Sequence, residues 1–225
     1  MKMRRFLVSA GFFLLSVAIL LTVVDICCFN RGFYRREYER DLTYEKIGMS
    51  EEDLMAATDT LLDYLKDDRD DIVIRCTVNG ADRAVFNERE TAHMVDVKDL
   101  YQNALLCRNI FFAVSLAILA LAWYRDKKEF PRLVRSGFRS GLMFMMIFVF
   151  FIGIWVVTDF DAFWTNFHHV FFRNDLWLLD PATSIMINMF PSIFFDDLVV
   201  RILTFFIAAV ALLAGIIYLP KRRSA

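Results

Sequence analysis

Four stretches of this chain lack charge across most of a bilayer's width, which takes about 20 apolar residues at 1.5 Å each. They are Phe6–Val24, Asn109–Tyr124, Ser140–Thr158 and Ile202–Leu219. The second is short, but 104–107 extends it past Arg108, a side chain long enough to snorkel near a bilayer surface. One such run could be a buried helix of a soluble protein; four, each flanked by charge, predict a helical membrane protein. The composition agrees: 57% of residues are hydrophobic and mean hydropathy is +0.43, above the apolar share of soluble domains. A net charge of -1 gives no reason to expect a nucleic-acid partner.

The charges orient the spans. Lys2, Arg4 and Arg5 precede the first; Arg125, Lys127, Lys128, Arg132, Arg135 and Arg139 fill the second-to-third loop; Lys221, Arg222 and Arg223 follow the fourth. The third-to-fourth connection sets Arg173 against Asp159, Asp161, Asp175, Asp180, Asp196 and Asp197. Basic loops stay cytoplasmic, so the expected protein is a multi-pass component of a bacterial cytoplasmic membrane. Both termini are then inside, and the long first loop and acidic connection outside. The first span reads as a retained helix rather than a cleaved leader, because its apolar core is long and no small-x-small site follows it.

The expected fold class is therefore membrane α-helical: four transmembrane helices with a small mixed α/β extracellular cap. Residues 1–29 form the first span, 30–101 the cap, and 102–225 the three further spans with an aromatic-rich outer loop at 159–197. In the cap, Ser50 and Asp53 predict a helix start, and Leu54, Thr58, Leu61, Leu62 and Leu65 repeat at helical spacing over 51–66. Residues 71–78 alternate as a strand, Asn79-Gly80 predicts a tight hairpin turn, and 83–86 would return. Asn87 with Glu90 predicts another cap, opening a helix that runs on into the second span. The outer loop holds Phe163, Trp164, Phe167, Phe171, Phe172, Trp177, Phe190, Phe194 and Phe195, a density expected of a segment at the membrane interface. Asn174, Asp175, Asp180 and Pro181 within it favour a shaped loop over a plain amphipathic helix.

Chemistry narrows to three histidines: His93, His168 and His169. If 90–100 is helical, Glu90 and Asp96 flank His93 three residues to either side, and a carboxylate beside an imidazole fixes its tautomer. His168 lies in the aromatic loop. Other chemistries find little support. No Gly-x-Ser-x-Gly elbow and no phosphate-cradling glycine loop occurs, and the histidine and cysteine spacings do not suit a metal. Cys27, Cys28, Cys76 and Cys107 read as apolar filler, with a Cys76–Cys107 disulfide left open. Intramembrane charge for a transport pathway is limited to Asp25 and Arg108 near the span ends.

Two longer patterns resemble a known family. Glu90-Thr-Ala-His93-Met94-Val95-Asp96-Val97-Lys98 and Phe167-His168-His169-Val170-Phe171-Phe172-Arg173-Asn174-Asp175-Leu176-Trp177-Leu178-Leu179-Asp180-Pro181 look like the signatures of the lipoprotein intramolecular transacylase (Lit-type) family. The stretches Phe33-Tyr34 with Glu37-Tyr38, 49–54 and 189–195 resemble family features as well. The resemblance implies an acyltransferase that moves the sn-2 acyl chain of a diacylglyceryl-cysteine lipoprotein onto the cysteine's own α-amino group, giving the lyso form. It implies catalysis by His93 and His168, with His169 a bystander. Its partners are then diacylglyceryl-modified bacterial lipoproteins and membrane lipid, with neither cofactor nor metal. Around that pair, Glu90, Asp96, Lys98, Asn174, Asp175 and Asp180 are expected to orient or support, with Lys98 and Arg173 pairing to the carboxylates. Tyr34, Phe167, Phe171, Phe172 and Trp177 are expected to line a substrate pocket. Which histidine is base and which acid stays open. The rival class is a non-enzymatic sensor or assembly factor with a lipoprotein-binding cap; a metal-dependent lipid hydrolase is a second rival.

Overall fold

A computed structural model describes residues 2–219; the expected basic cluster at Lys221, Arg222 and Arg223 lies outside them. In order, the elements are α1 (Lys2–Cys28), α2 (Arg31–Asp41), α3 (Thr43–Ile47), α4 (Glu51–Leu65), β1 (Arg75–Val78), β2 (Ala81–Ala84), α5 (Glu88–Arg125), α6 (Phe130–Thr158), α7 (Phe160–Phe171), α8 (Ile185–Met189) and α9 (Ser192–Tyr218). Helices α1, α5, α6 and α9 are long and apolar enough to cross a membrane. The chain divides into two compact units.

The first unit comprises the described parts of Met1–Val24, Leu105–Phe163 and Ile202–Ala225. Its core is α1, where Val8, Phe12, Leu15 and Ala18 are buried at helical spacing. Against it, α6 presents Gly137 and Gly141, a small-x-x-x-small pair that lets two backbones close up. A Cβ at Gly141 would stand 2.6 Å from the Ser9 carbonyl oxygen and 2.8 Å from the Phe13 nitrogen; one at Gly137 would stand 2.5 Å from a Val8 methyl. On the same helix Phe138 meets Phe12 edge-on, with ring centroids 5.5 Å apart. From α5, Ser115 donates to the Gly11 carbonyl at 2.9 Å, a polar link suited to an apolar surrounding. Phe144, Phe148 and Phe151 of α6 lie more than half exposed, as lipid-facing side chains do.

The second unit comprises Asp25–Ala104 and Trp164–Arg201. Ser50 caps α4 by accepting from the Asp53 N–H at 3.0 Å, as its spacing predicts, and Leu54, Thr58, Leu61 and Leu62 are buried. The hairpin forms at Asn79-Gly80, both with positive φ (52° and 79°). Its strands are shorter than expected on the first side and shifted on the second. Residues 71–73 stay out of the ladder, their backbone groups occupied by side chains: Asp71 accepts from the Val73 N–H at 3.0 Å, and Arg69 donates to the Asp71 and Val73 carbonyls at 3.3 Å, while the Ile74 carbonyl still accepts from the Val85 N–H at 3.1 Å. The two-residue turn then pairs Val78 with Ala81, so β2 begins two residues before the expected 83–86. Asn87 and Glu90 cap α5 reciprocally, Glu90 N–H to Asn87 Oδ1 at 2.9 Å and Asn87 N–H to Glu90 Oε2 at 2.6 Å. From there α5 runs 38 residues without a break.

The aromatic connection departs further from expectation. Its first part is a helix, α7, followed by turns over 172–184. Asp180 builds those turns, its carboxylate accepting from the Ala182 N–H at 2.9 Å and its carbonyl from the Ser184 N–H at 2.8 Å. The shaped loop is thus confined to the half that carries Asn174, Asp175, Asp180 and Pro181, while 160–171 keeps helical periodicity. All four cysteines are free, so Cys76 and Cys107 do not pair.

Candidate active site

His93 and His168, 75 positions apart in the chain, meet in the second unit with ring centroids 6.1 Å apart and planes inclined at 35°. The first sits on the opening turns of α5, the second near the end of α7. The two residues are 8% and 4% exposed, so both imidazoles are largely withdrawn from solvent. Phe172 packs edge-on to His93 at 5.3 Å and lies 5.5 Å from His168. Trp177 stacks on His168 at 4.7 Å and 28°, and Trp164 contacts the same ring at 4.5 Å.

His168 has a defined tautomer. Its Nδ1 lies 2.7 Å from the Trp164 carbonyl oxygen, and a carbonyl can only accept. Nδ1 therefore carries the proton, and in the neutral ring Nε2 keeps the lone pair. The Nδ1 of His93 is buried without a hydrogen-bond partner. His93 lies on the polar start of α5, before the apolar run that spans a bilayer, and burial pulls its pKa down to about 4. The neighbouring His168 acts in the same direction, Asp96 opposes, and Arg89 lowers it slightly. Burial also lowers the His168 pKa, partly offset by the Trp164 carbonyl. Both rings are accordingly neutral near pH 7, which is the form a base needs.

The expected supporting residues take different places. Asn174 is close to the pair: its side-chain amide donates to Asp96 at 2.8 Å, and its backbone carbonyl accepts the Trp177 indole N–H at 3.1 Å. Trp177 in turn covers His168, so Asp96, Asn174 and Trp177 hold one wall. Glu90 is wholly buried but serves another purpose than facing His93. Its carboxylate accepts from the Ser184 hydroxyl at 2.6 Å and the Met186 N–H at 2.8 Å, besides the Asn87 N–H. It clamps the start of α8 to the start of α5. Asp175 pairs with Arg89 at 3.5 Å, while Arg89 also donates to the Asp175 and Leu178 carbonyls. Lys98 turns elsewhere: it pairs with Asp67 at 2.6 Å and lies over the Tyr64 ring at 4.4 Å, tying α5 to the end of α4. The expected pairing of Lys98 with the carboxylates near the histidines does not occur, because those are already engaged.

The aromatic residues divide likewise. Phe167 contacts His168 at 5.5 Å and Phe171 at 4.8 Å, and Phe171 is half exposed. Tyr34 lies in a second cluster, 6.1 Å from Phe190 and 5.2 Å from Phe194, its hydroxyl donating to the Cys28 carbonyl at 2.7 Å. The clusters join through Phe194, Phe195 and Trp164, each step 4.5–5.5 Å, so aromatic rings continue from Tyr34 to His168. His169 is exposed and touches the Trp177 edge. The residues that sequence reasoning missed are Trp164, Arg89 and Ser184. Trp164 precedes His168 by one helical turn, so a helical reading of 160–171 would have found it; Arg89 and Ser184 carry no comparable local signal.

The sequence pattern of the family described as lipoprotein intramolecular transacylase Lit matches residues 9–195, both histidine motifs included. The chain belongs to that family. Membership makes it an acyltransferase of the lipoprotein intramolecular transacylase type, and the four apolar helices make it membrane-integral. An uncharacterized protein of Aquifex aeolicus is 27% identical over 196 residues, 84% of each chain. A solved structure of the membrane integral lipoprotein intramolecular transacylase Lit from Bacillus cereus is similar at a TM-score of 0.76, covering 96% of this chain and 94% of that one at 18% identity. A histidine-to-alanine variant of the same protein gives 0.74 at 18% identity, over 96% of this chain and 92% of that one. At that identity the structural likeness speaks for the fold of four membrane helices with a small two-stranded sheet.

Proposed function

We propose that this protein moves the sn-2 acyl chain of a diacylglyceryl-cysteine lipoprotein to the α-amino group of the same cysteine, with His93 and His168 carrying the proton transfers. The observation behind this is the buried, neutral imidazole pair with 6.1 Å between ring centres. Amine attack on an ester of the same molecule requires neither an enzyme nucleophile nor a cofactor. It requires a base for the ammonium proton, a donor for the departing glyceryl oxygen, and confinement. Holding amine and ester in near-attack geometry lowers such a barrier by roughly 7–11 kcal/mol.

His168 is the better base, because the Trp164 carbonyl fixes its proton on Nδ1 and leaves Nε2 open. The substrate ammonium first loses a proton. The amine then attacks the ester carbonyl, a C–N bond forms, and a second proton passes from that nitrogen to Nε2. The glyceryl C–O bond breaks with its electron pair on oxygen, and the alkoxide takes that proton from the His168 imidazolium, directly or relayed through His93, so both rings end neutral. Overall one proton goes to solvent and one moves from nitrogen to oxygen. The Trp177, Trp164 and Phe172 rings keep water from the ester, and the aromatic path toward Tyr34 suits an acyl chain or the lipid-bearing peptide end. Asp96 and Asn174 steady Trp177; Glu90, Asp175 and Asp180 shape the 172–186 segment; Lys98 anchors α5. In this reading residues 30–101 and 159–197 face outward, and the basic loop 125–139 faces the cytoplasm, as the charges dictate.

The test is fragmentation mass spectrometry of a diacylglyceryl lipopeptide incubated with the purified protein in lipid. The acyl group should appear on nitrogen with no change in mass. Loss of acyl mass as free fatty acid would mean hydrolysis instead.

A further inference from the structure

The first unit carries a feature that acyl transfer leaves unused. At the start of α6 and the end of α9 lies a groove of about 450 Å³ lined by Lys128, Arg132, Arg135, Arg139, Ser136, Pro131 and Tyr218. Residues 132, 135 and 139 are three and four apart, which places their guanidinium groups along one stripe of α6, and all three are exposed. The lining contains four cations and no acid. Glu129, 3.7 Å from Arg132, offsets one of them. The two helices are joined at this point, the Tyr218 hydroxyl donating to the Arg135 carbonyl at 3.1 Å and its ring lying 6.1 Å from Phe138.

A second groove, about 460 Å³ and lined wholly by apolar side chains, involves the same two helix ends. Phe130 and Val134 of α6 and Leu213 and Ile217 of α9 face it together with Phe12 of α1 and Leu116 of α5. Its residues alternate along the chain with those of the basic groove: Phe130 beside Pro131, Val134 beside Arg135, Ile217 beside Tyr218. Neighbouring residues on a helix point about 100° apart, so the two grooves open on adjoining faces of the same helix ends, and a cationic face next to a greasy one matches a molecule with an anionic end and a hydrocarbon end.

We propose that this place binds an anionic glycerophospholipid, its phosphodiester on Arg132, Arg135, Arg139 and Lys128 and one acyl chain in the apolar groove. Guanidinium groups match phosphate oxygens in pairs, basic pockets between membrane helices hold anionic headgroups, and the Tyr218 phenol suits the interfacial depth. The lipid is a resident one, separate from the lipoprotein substrate, and fastens α6 to α9.

Native mass spectrometry of the full chain in detergent tests this, with phosphatidylglycerol, phosphatidylcholine of the same chains, or inorganic phosphate added. Phosphatidylglycerol should be retained at least about tenfold better than phosphatidylcholine. The triple variant R132Q/R135Q/R139Q should lose that preference while unfolding at the wild-type temperature in lipid-free detergent, whereas R132K/R135K/R139K, which keeps the charge but not the paired geometry, should fall between the two. Leu213→Trp, filling the apolar groove, should weaken retention while the arginines stay in place. Equal retention of the two lipids, or a preference untouched by the glutamine variant, overturns the proposal. Displacement of phosphatidylglycerol by millimolar inorganic phosphate assigns the groove to free phosphate and overturns the lipid reading.

Discussion

The side-chain amide of Asn174 donates to the carboxylate of Asp96 at 2.8 Å, across 78 positions of the chain. Because the Asn174 carbonyl also receives the Trp177 indole N–H, this one residue couples the first turns of α5 to the ring stacked on His168. Replacing Asn174 by Ala should leave folding intact and lower kcat by about tenfold to a hundredfold, the scale on which a misplaced catalytic group is felt. Asn174→Asp sets a second carboxylate against Asp96 and should be worse than Ala. Single-turnover acyl-shift rates beside thermal unfolding separate the two effects. Equal rates for wild type and both variants would remove Asn174 from any positioning role.

The histidine pair makes a statement about pH. The His93 pKa is lowered by burial to about 4, against about 6.5 in an unfolded chain. Between those values the unfolded state binds the extra proton, so stability is complete above pH 6.5 and declines as pH falls toward 4. The loss attributable to His93 is up to about 3 kcal/mol. Unfolding temperatures of wild type and His93→Gln, measured from pH 7 to 4, should converge as the pH drops. The acid limb of kcat/KM should likewise fall below 6.5, since free-enzyme imidazoles with lowered pKa stay unprotonated there.

Glu90 should behave as a structural carboxylate. It receives three donors, from Asn87, Ser184 and Met186, and is fully buried. Glu90→Gln turns an amide N–H₂ toward at least one of those donors, and should cost about 2–4 kcal/mol of stability together with activity. Ser184→Ala removes one donor and should cost about 1 kcal/mol. Thermal unfolding with and without a lipopeptide substrate checks both. An undiminished unfolding temperature in Glu90→Gln would contradict the clamp.

In the first unit, Gly141→Ala should destabilise by about 1–3 kcal/mol, since the new methyl meets the α1 backbone at 2.6 Å and 2.8 Å. Gly153→Ala on the same helix meets nothing within 4 Å and should be neutral or mildly stabilising. Unfolding in detergent compares the pair directly.

Much of this was legible along the chain. Four uncharged runs gave the spans, and local chemistry gave the Ser50 cap, the Asn79-Gly80 turn and the Asn87–Glu90 box, because each depends on residues at most three apart. What stayed hidden depends on distant partners. Glu90 looked like an orienting neighbour of His93, but Ser184, 94 positions away, claims its oxygen. Lys98 looked available to the site until Asp67 took it. The Gly137 and Gly141 seat was invisible for a different reason: small residues in an apolar run signal close approach only when the opposing helix is known. The two histidine motifs drew attention to His93 and His168, but their 6.1 Å separation is a product of the fold.

The decisive measurement is the rate of ester-to-amide acyl shift in a synthetic diacylglyceryl lipopeptide with His93→Ala, His168→Ala and the double variant, read by fragmentation mass spectrometry against wild type. Two imidazoles serving one proton path predict that each single variant loses about 10²-fold or more, with the double variant little worse than the weaker single. Wild-type rates in either single variant would contradict the shared-pair chemistry, whatever the fold.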